Sequence, residues 1–181
     1  KLYMFLTIMT ALALVLSNVI RLPKELAKPK QKTSKGWSIS QFIEKRSLPW
    51  ALMGLFIGFT YSGVLVFIPI ELNCMGAAVW GSVFFALFAL MIIISRPLVG
   101  KVYARYGSRF VIYPGVGLFI IGLAILGVVS TPVGIICTAP LLGLGYGAAQ
   151  PAFQALAVQS APIERAGVST ATYFLALDLA V

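Results

Sequence analysis

Tyr146, Gln150 and Gln154 recur four residues apart in an otherwise apolar stretch, so a helix there carries three hydrogen-bonding side chains along one side. Such a row belongs against protein or a watery cavity rather than lipid. It serves either to bond neighbouring helices or to contact a solute. Thr60, Tyr61 and Ser62 invite the same two readings, and Tyr61 joins the other three as a candidate substrate-contacting residue. The last charged group, Asp178, lies about 16 Å along a helix counted from Gly167, close to the middle of a bilayer. A carboxylate there costs about 2.5 to 3.5 kcal/mol on insertion scales, which predicts that it faces the protein interior and finds a partner. It could carry a proton in step with a conformational change, or simply pack helices together as a hydrogen-bonded acid.

Other chemistries are excluded by what the chain lacks. It has no histidine, so Ser-His-Asp constellations, zinc-hydrolase patterns and haem axial histidines are absent. Its five carboxylates, Glu25, Glu44, Glu71, Glu164 and Asp178, are scattered, and no local acidic pair suggests hydrolysis or a divalent metal. We expect no catalytic residue, no metal and no cofactor. Cys74 and Cys137 read as unpaired apolar fillers, the alternative being a disulfide toward the outer face.

The elements that must position these residues are membrane spans. Residues 2 to 20, 47 to 70, 72 to 95 and 110 to 163 carry no charge, and mean hydropathy over the chain is +0.96. As a single helix, 110 to 163 would be about 80 Å long, far beyond a hydrocarbon core of about 30 Å. It folds back at Ser130-Thr131-Pro132, because Pro132 cannot donate into a continuing helix. Twelve of the 14 basic residues lie in 21 to 46 or 96 to 109. Translocation disfavours Lys and Arg, so both segments are predicted to be cytoplasmic, and parity gives hairpins over 49 to 95 and 110 to 158. A net charge of +9 on so apolar a chain marks topology and contact with anionic headgroups, not nucleic acid. Within 22 to 48, Ser38-Ile39-Ser40-Gln41 has capping-box spacing; it predicts a short interfacial helix before Pro49 opens the next span, the alternative being an unstructured basic linker. Gly143, Gly145 and Gly147, with Pro140 and Pro151, compose a helix that close packing in a membrane tolerates.

Residues 96 to 109 read Arg-Pro-Leu-Val-Gly-Lys-Val-Tyr-Ala-Arg-Tyr-Gly-Ser-Arg, a basic segment with glycines seven apart. Gly100 and Gly107 permit a tight turn, Arg96 and Arg109 hold its ends at the interface, and Pro97 is expected to stop the incoming helix. This segment resembles the loop signature of the major facilitator superfamily, roughly G-x-x-x-D-R-x-G-x-R preceded by R-P. The order of basic loop, hairpin, signature, hairpin, G-x-G-x-G-x-x-x-P helix and Glu164-Arg165-Ala166-Gly167 extends the likeness over nearly the whole chain. The resemblance implies an all-α, polytopic membrane bundle of about five spans and a truncated sixth. Residues 1 to 21 would be the last span of an N-terminal bundle, 22 to 48 the central cytoplasmic loop, and 49 to 181 an incomplete C-terminal bundle whose partner is the missing N-terminal half.

By that resemblance the protein is a multi-pass cell-membrane transporter that moves a small, amphipathic or weakly charged solute by alternating access, nearest to proton-coupled efflux proteins. The alternatives are a non-transporting scaffold subunit, or facilitated uptake of a sugar or other neutral metabolite. Arg96, Pro97, Gly100, Arg105, Gly107 and Arg109 would shape the signature loop. Ala104 occupies its aspartate position, so any charged latch there must come from the other half.

Overall fold

A computed structural model describes residues 43 to 180. The expectations for residues 1 to 42, including the first span and most of the interfacial helix, lie outside them; Ile43 and Glu44 have no regular structure and Lys45 to Ser47 form a turn. Five helices follow: α1 (Leu48–Cys74), α2 (Val79–Tyr106), α3 (Arg109–Leu126), α4 (Pro132–Ser160) and, after a 3-10 turn (Ile163–Arg165), α5 (Ala166–Asp178). No strand occurs among the described residues. The helices α1 to α4 are long and apolar enough to cross a membrane.

Proline and threonine set the helix starts. Pro49 falls in the first turn of α1, where its missing N–H is no loss. Pro132 does the same for α4, and the Thr131 side chain accepts a hydrogen bond from the Gly134 amide at 3.3 Å. The other proline expectation fails. Pro97 lies inside α2, which runs on to Tyr106; the helix stops at Gly107, whose φ of +84° suits a residue without a Cβ. In an apolar surrounding a helix keeps its remaining backbone bonds whatever Pro97 removes, since leaving the helix would expose more polar groups still. The connection between α2 and α3 is therefore Gly107 and Ser108 alone, and Arg96, Gly100, Lys101 and Arg105 ride on the last turns of α2.

The centre of the bundle is α4, which packs on all four other helices and most extensively on α3 and α2. Its small residues explain why. A methyl group added at Gly143 would stand 2.6 Å from the Phe88 carbonyl oxygen of α2, and Gly147, one turn on, abuts Ile92 and Ser95. On another side, a methyl at Gly145 would stand 2.6 Å from the Phe119 amide nitrogen and 2.8 Å from the Gly115 carbonyl oxygen of α3. Two neighbouring backbones thus reach α4 closely enough that dispersion replaces the hydrophobic drive lipid does not supply. By contrast α1 makes its chief contacts with α5 and α4 and few with α2, its neighbour in sequence. Phe84, Ile68, Leu72, Ile135 and Leu142 fill the core near the basic-poor end of the helices.

Candidate functional site

Tyr61 of α1 and Tyr146 of α4, paired as candidates by residue type alone, stack at 4.2 Å between ring centroids with 19° between planes. Phe88 of α2 stacks on Tyr61 at 5.7 Å, and Phe119 of α3 lies 6.1 Å from Tyr146. Four helices therefore meet at one aromatic cluster. Its position follows from α4: Gly143 and Gly147 turn toward α2, Gly145 toward α3, and Tyr146 faces between them. Offset-stacked pairs of this kind add about 0.5 to 1.5 kcal/mol beyond area burial. Sequence reading found the tyrosines but not Phe88 and Phe119, which carry no polar atom to set them apart from other core residues.

Gln150 and Gln154 continue from Tyr146 along α4 and are half-buried. The Gln150 carbonyl oxygen accepts a hydrogen bond from the Tyr173 hydroxyl of α5 at 2.9 Å. Tyr173 itself is fully buried, with its ring over Gly54 of α1, where an added methyl would stand 2.6 Å from Cε2. One turn further, Gly58 meets Leu177 in the same way. The G-x-x-x-G spacing of 54 and 58 inside a span was the available signal for this α1–α5 contact. Thr60 spends its hydroxyl on the Phe56 carbonyl of its own helix. Asp178 ends α5 on an exposed side, about 140° round the helix from Tyr173, and is not brought to the aromatic cluster.

A second polar site ties the basic end of the bundle. Ser47, Ser160 and Ser169 direct their hydroxyls at the Ala157 carbonyl at 2.8, 2.8 and 2.6 Å, and Ser47 and Ser169 lie 2.6 Å apart. That carbonyl belongs to the last turn of α4, and the Ala161 amide that would have closed on it bonds to Val158 instead. With two lone pairs on the carbonyl and three hydroxyl protons, one proton passes sideways to another hydroxyl. Beside this knot the Glu44 amide donates to Thr172 Oγ1 at 3.0 Å, and Glu44 Oε2 faces Arg165 Nη1 at 3.0 Å, within ion-pair reach though out of line for a hydrogen bond. The Glu44 side chain is buried, 7% exposed, and the Arg165 side chain is 38% exposed. The segment entering α1, the end of α4 and the start of α5 are thus joined at one point. None of this pairing was foreseen, because its members lie far apart in the chain.

The signature residues divide between helix and turn. Arg96, Pro97 and Gly100 are exposed positions of α2, Arg105 lies in its last turn with its guanidinium 5.4 Å from the Tyr106 ring centroid, Gly107 makes the turn and Arg109 opens α3. Cys74 and Cys137 are free and exposed. No group of acidic, cysteine or histidine side chains that could hold a metal occurs among the described residues.

A cavity of about 430 Å³ lies between α1 and α3 and is lined by Met53, Phe56, Tyr113, Phe119 and Phe153 with Thr60, and no charged residue lines it. A neighbouring one of about 330 Å³ has Glu71 at its edge. Neither includes Tyr61, Tyr146, Gln150 or Gln154.

A family model described as Major Facilitator Superfamily matches residues 2–181. Comparison with curated proteins and with solved structures finds no match.

Proposed function

Since the chain belongs to the major facilitator superfamily, a family of membrane transporters, we propose that it carries out secondary active transport of a small amphipathic or weakly charged solute by alternating access, as proton-coupled efflux across the cell membrane. The observation that carries this reading is the Tyr61–Tyr146 stack at the meeting of four helices, with Gln150 and Gln154 one and two turns beyond it. At 4.2 Å the rings touch, so a solute that takes a place between them must part α1 from α4. Binding would then be tied to helix movement. Aromatic faces and amide groups suit a flat or amphipathic molecule. A phosphorylated or dicarboxylic solute would call for several bases at that depth, and of the bases on the described helices only Arg96, ten residues inside the end of α2, approaches it.

In this reading residues 21 to 46 and 96 to 109 face the cytoplasm, residues 1 to 21 end an N-terminal bundle that completes the pathway, and Asp178 carries the coupled proton. Sealed vesicles with an imposed pH gradient test it. Accumulation of a lipophilic weak cation or neutral dye against its gradient should collapse with the pH gradient, and Tyr146→Ala should lower the rate at least tenfold with protein level retained. Absence of transport for every compound would favour a scaffold role. An Asp178→Asn protein with unchanged dependence on the proton gradient would remove that residue from the coupling.

A further inference from the structure

The halves of α2 and α3 nearest the Gly107–Ser108 turn enclose an apolar cleft of about 270 Å³, walled by Leu98, Val102, Phe110 and Pro114 and floored by Leu144 and Ala148 of α4. Around the same end stand Arg96, Lys101, Arg105 and Arg109, and residues 72 to 163 contain no carboxylate. None of these four bases has an ion pair among the described residues. Helical spacing sets Lys101 three positions beyond Leu98 and Arg105 three beyond Val102, so both extend the cleft-lining stripe outward past the apolar part. The Ser108 side chain makes no capping bond to the first turn of α3.

An apolar slot that ends in unneutralised positive charge matches a molecule with the same division. A soluble anion would leave the slot unfilled, and an uncharged lipid would leave the bases unmatched. We propose that this cleft binds an anionic phospholipid of the adjacent leaflet, with one acyl chain along Leu98, Val102, Phe110 and Pro114 and the phosphate among Lys101, Arg105 and Arg109. From Ser95 to Val102 the wall rises about 10 Å, long enough to hold the upper part of a chain. The seated lipid would brace α2 against α3, which otherwise touch each other little.

The test uses the full-length protein in phosphatidylcholine nanodiscs carrying spin-labelled phosphatidylglycerol or spin-labelled phosphatidylcholine. The wild type should immobilise the anionic probe in clear preference to the neutral one. Lys101→Gln with Arg105→Gln, both at exposed positions, should lower that preference by about fivefold for each base removed. Val102→Trp, which fills the slot and keeps every charge, should release the immobilised anionic probe as well. Equal retention of the two probes by the wild type, or an undiminished preference in the double variant, would overturn the site. Loss in the double variant with Val102→Trp unaffected would also overturn it, since surface charge without a seated chain would then account for the effect.

Discussion

Tyr173 ties three helices together although nothing in its type sets it apart. Its ring occupies the space Gly54 leaves, and its hydroxyl holds the Gln150 carbonyl, so one side chain from α5 fixes both α1 and α4. Gly54→Ala should lower stability by about 1 to 3 kcal/mol through overpacking, and the loss should shrink when Tyr173→Leu is added, because the two positions share one contact. Tyr173→Phe keeps the ring and should cost only about 0.5 to 1.5 kcal/mol for the lost hydrogen bond. Thermal unfolding of the purified protein in detergent separates these outcomes. At the basic end, Glu44→Ala should destabilise by about 1 kcal/mol, since it removes the buried carboxylate that faces Arg165 and accepts from the Arg46 amide, while the partly exposed Arg165 side chain stays open to water. Sequence legibility at this scale followed chemical type. Tyr61 and Tyr146 announced themselves as polar aromatics within spans, and the structure stacks them. Glu44 and Arg165 were each visible as charges, yet nothing local linked them, because their pairing depends on how α4 and α5 return to the start of α1.

Helices in lipid obey different stop rules from helices in water, and α2 and α4 show both sides of the difference. Pro97, Pro140 and Pro151 are all contained within helices, while Gly107 ends one. Spans and turns were legible from uncharged run lengths, and the break at 130 to 132 appears where expected. The extension of α2 beyond the uncharged run to Tyr106 was not, since a run of charge says where lipid ends but not where the helix does. Glycine spacing gives the element its sharpest test. Gly145→Ala drives a methyl into the backbone of α3 and should cost about 1 to 3 kcal/mol or more, whereas Gly100→Ala, with no atom within 4 Å of the added methyl, should leave stability unchanged or raise it by up to about 1 kcal/mol. Unfolding midpoints of the two variants compared side by side provide the check.

For the whole molecule the proposed orientation makes a direct prediction. Cys74, exposed at the far end of α1, should react in intact cells with a membrane-impermeant maleimide. In a background lacking both native cysteines, Tyr106→Cys, at the basic end of α2, should react only after permeabilisation. The reverse pattern would invert the topology. The family reading and the serpentine of spans were legible because they rest on charge placement and motif order along the chain. The arrangement of helices around α4 was not, because apolar residues surround these helices nearly on every side, and the polar row of α4 does not say which helix lies against it.

The glycine contacts of α4 divide the described bundle into unequal joints. Where α2, α3 and α4 meet, backbone rests on backbone, and any relative slip would drive main-chain atoms together. Where α1 and α5 meet α4, the bond is made by rings and hydroxyls, which can exchange partners without collision. Displacement should therefore follow the seam with the replaceable contacts, so that α1 and α5 travel as a pair past a fixed trio, and the tyrosine stack lies on that seam.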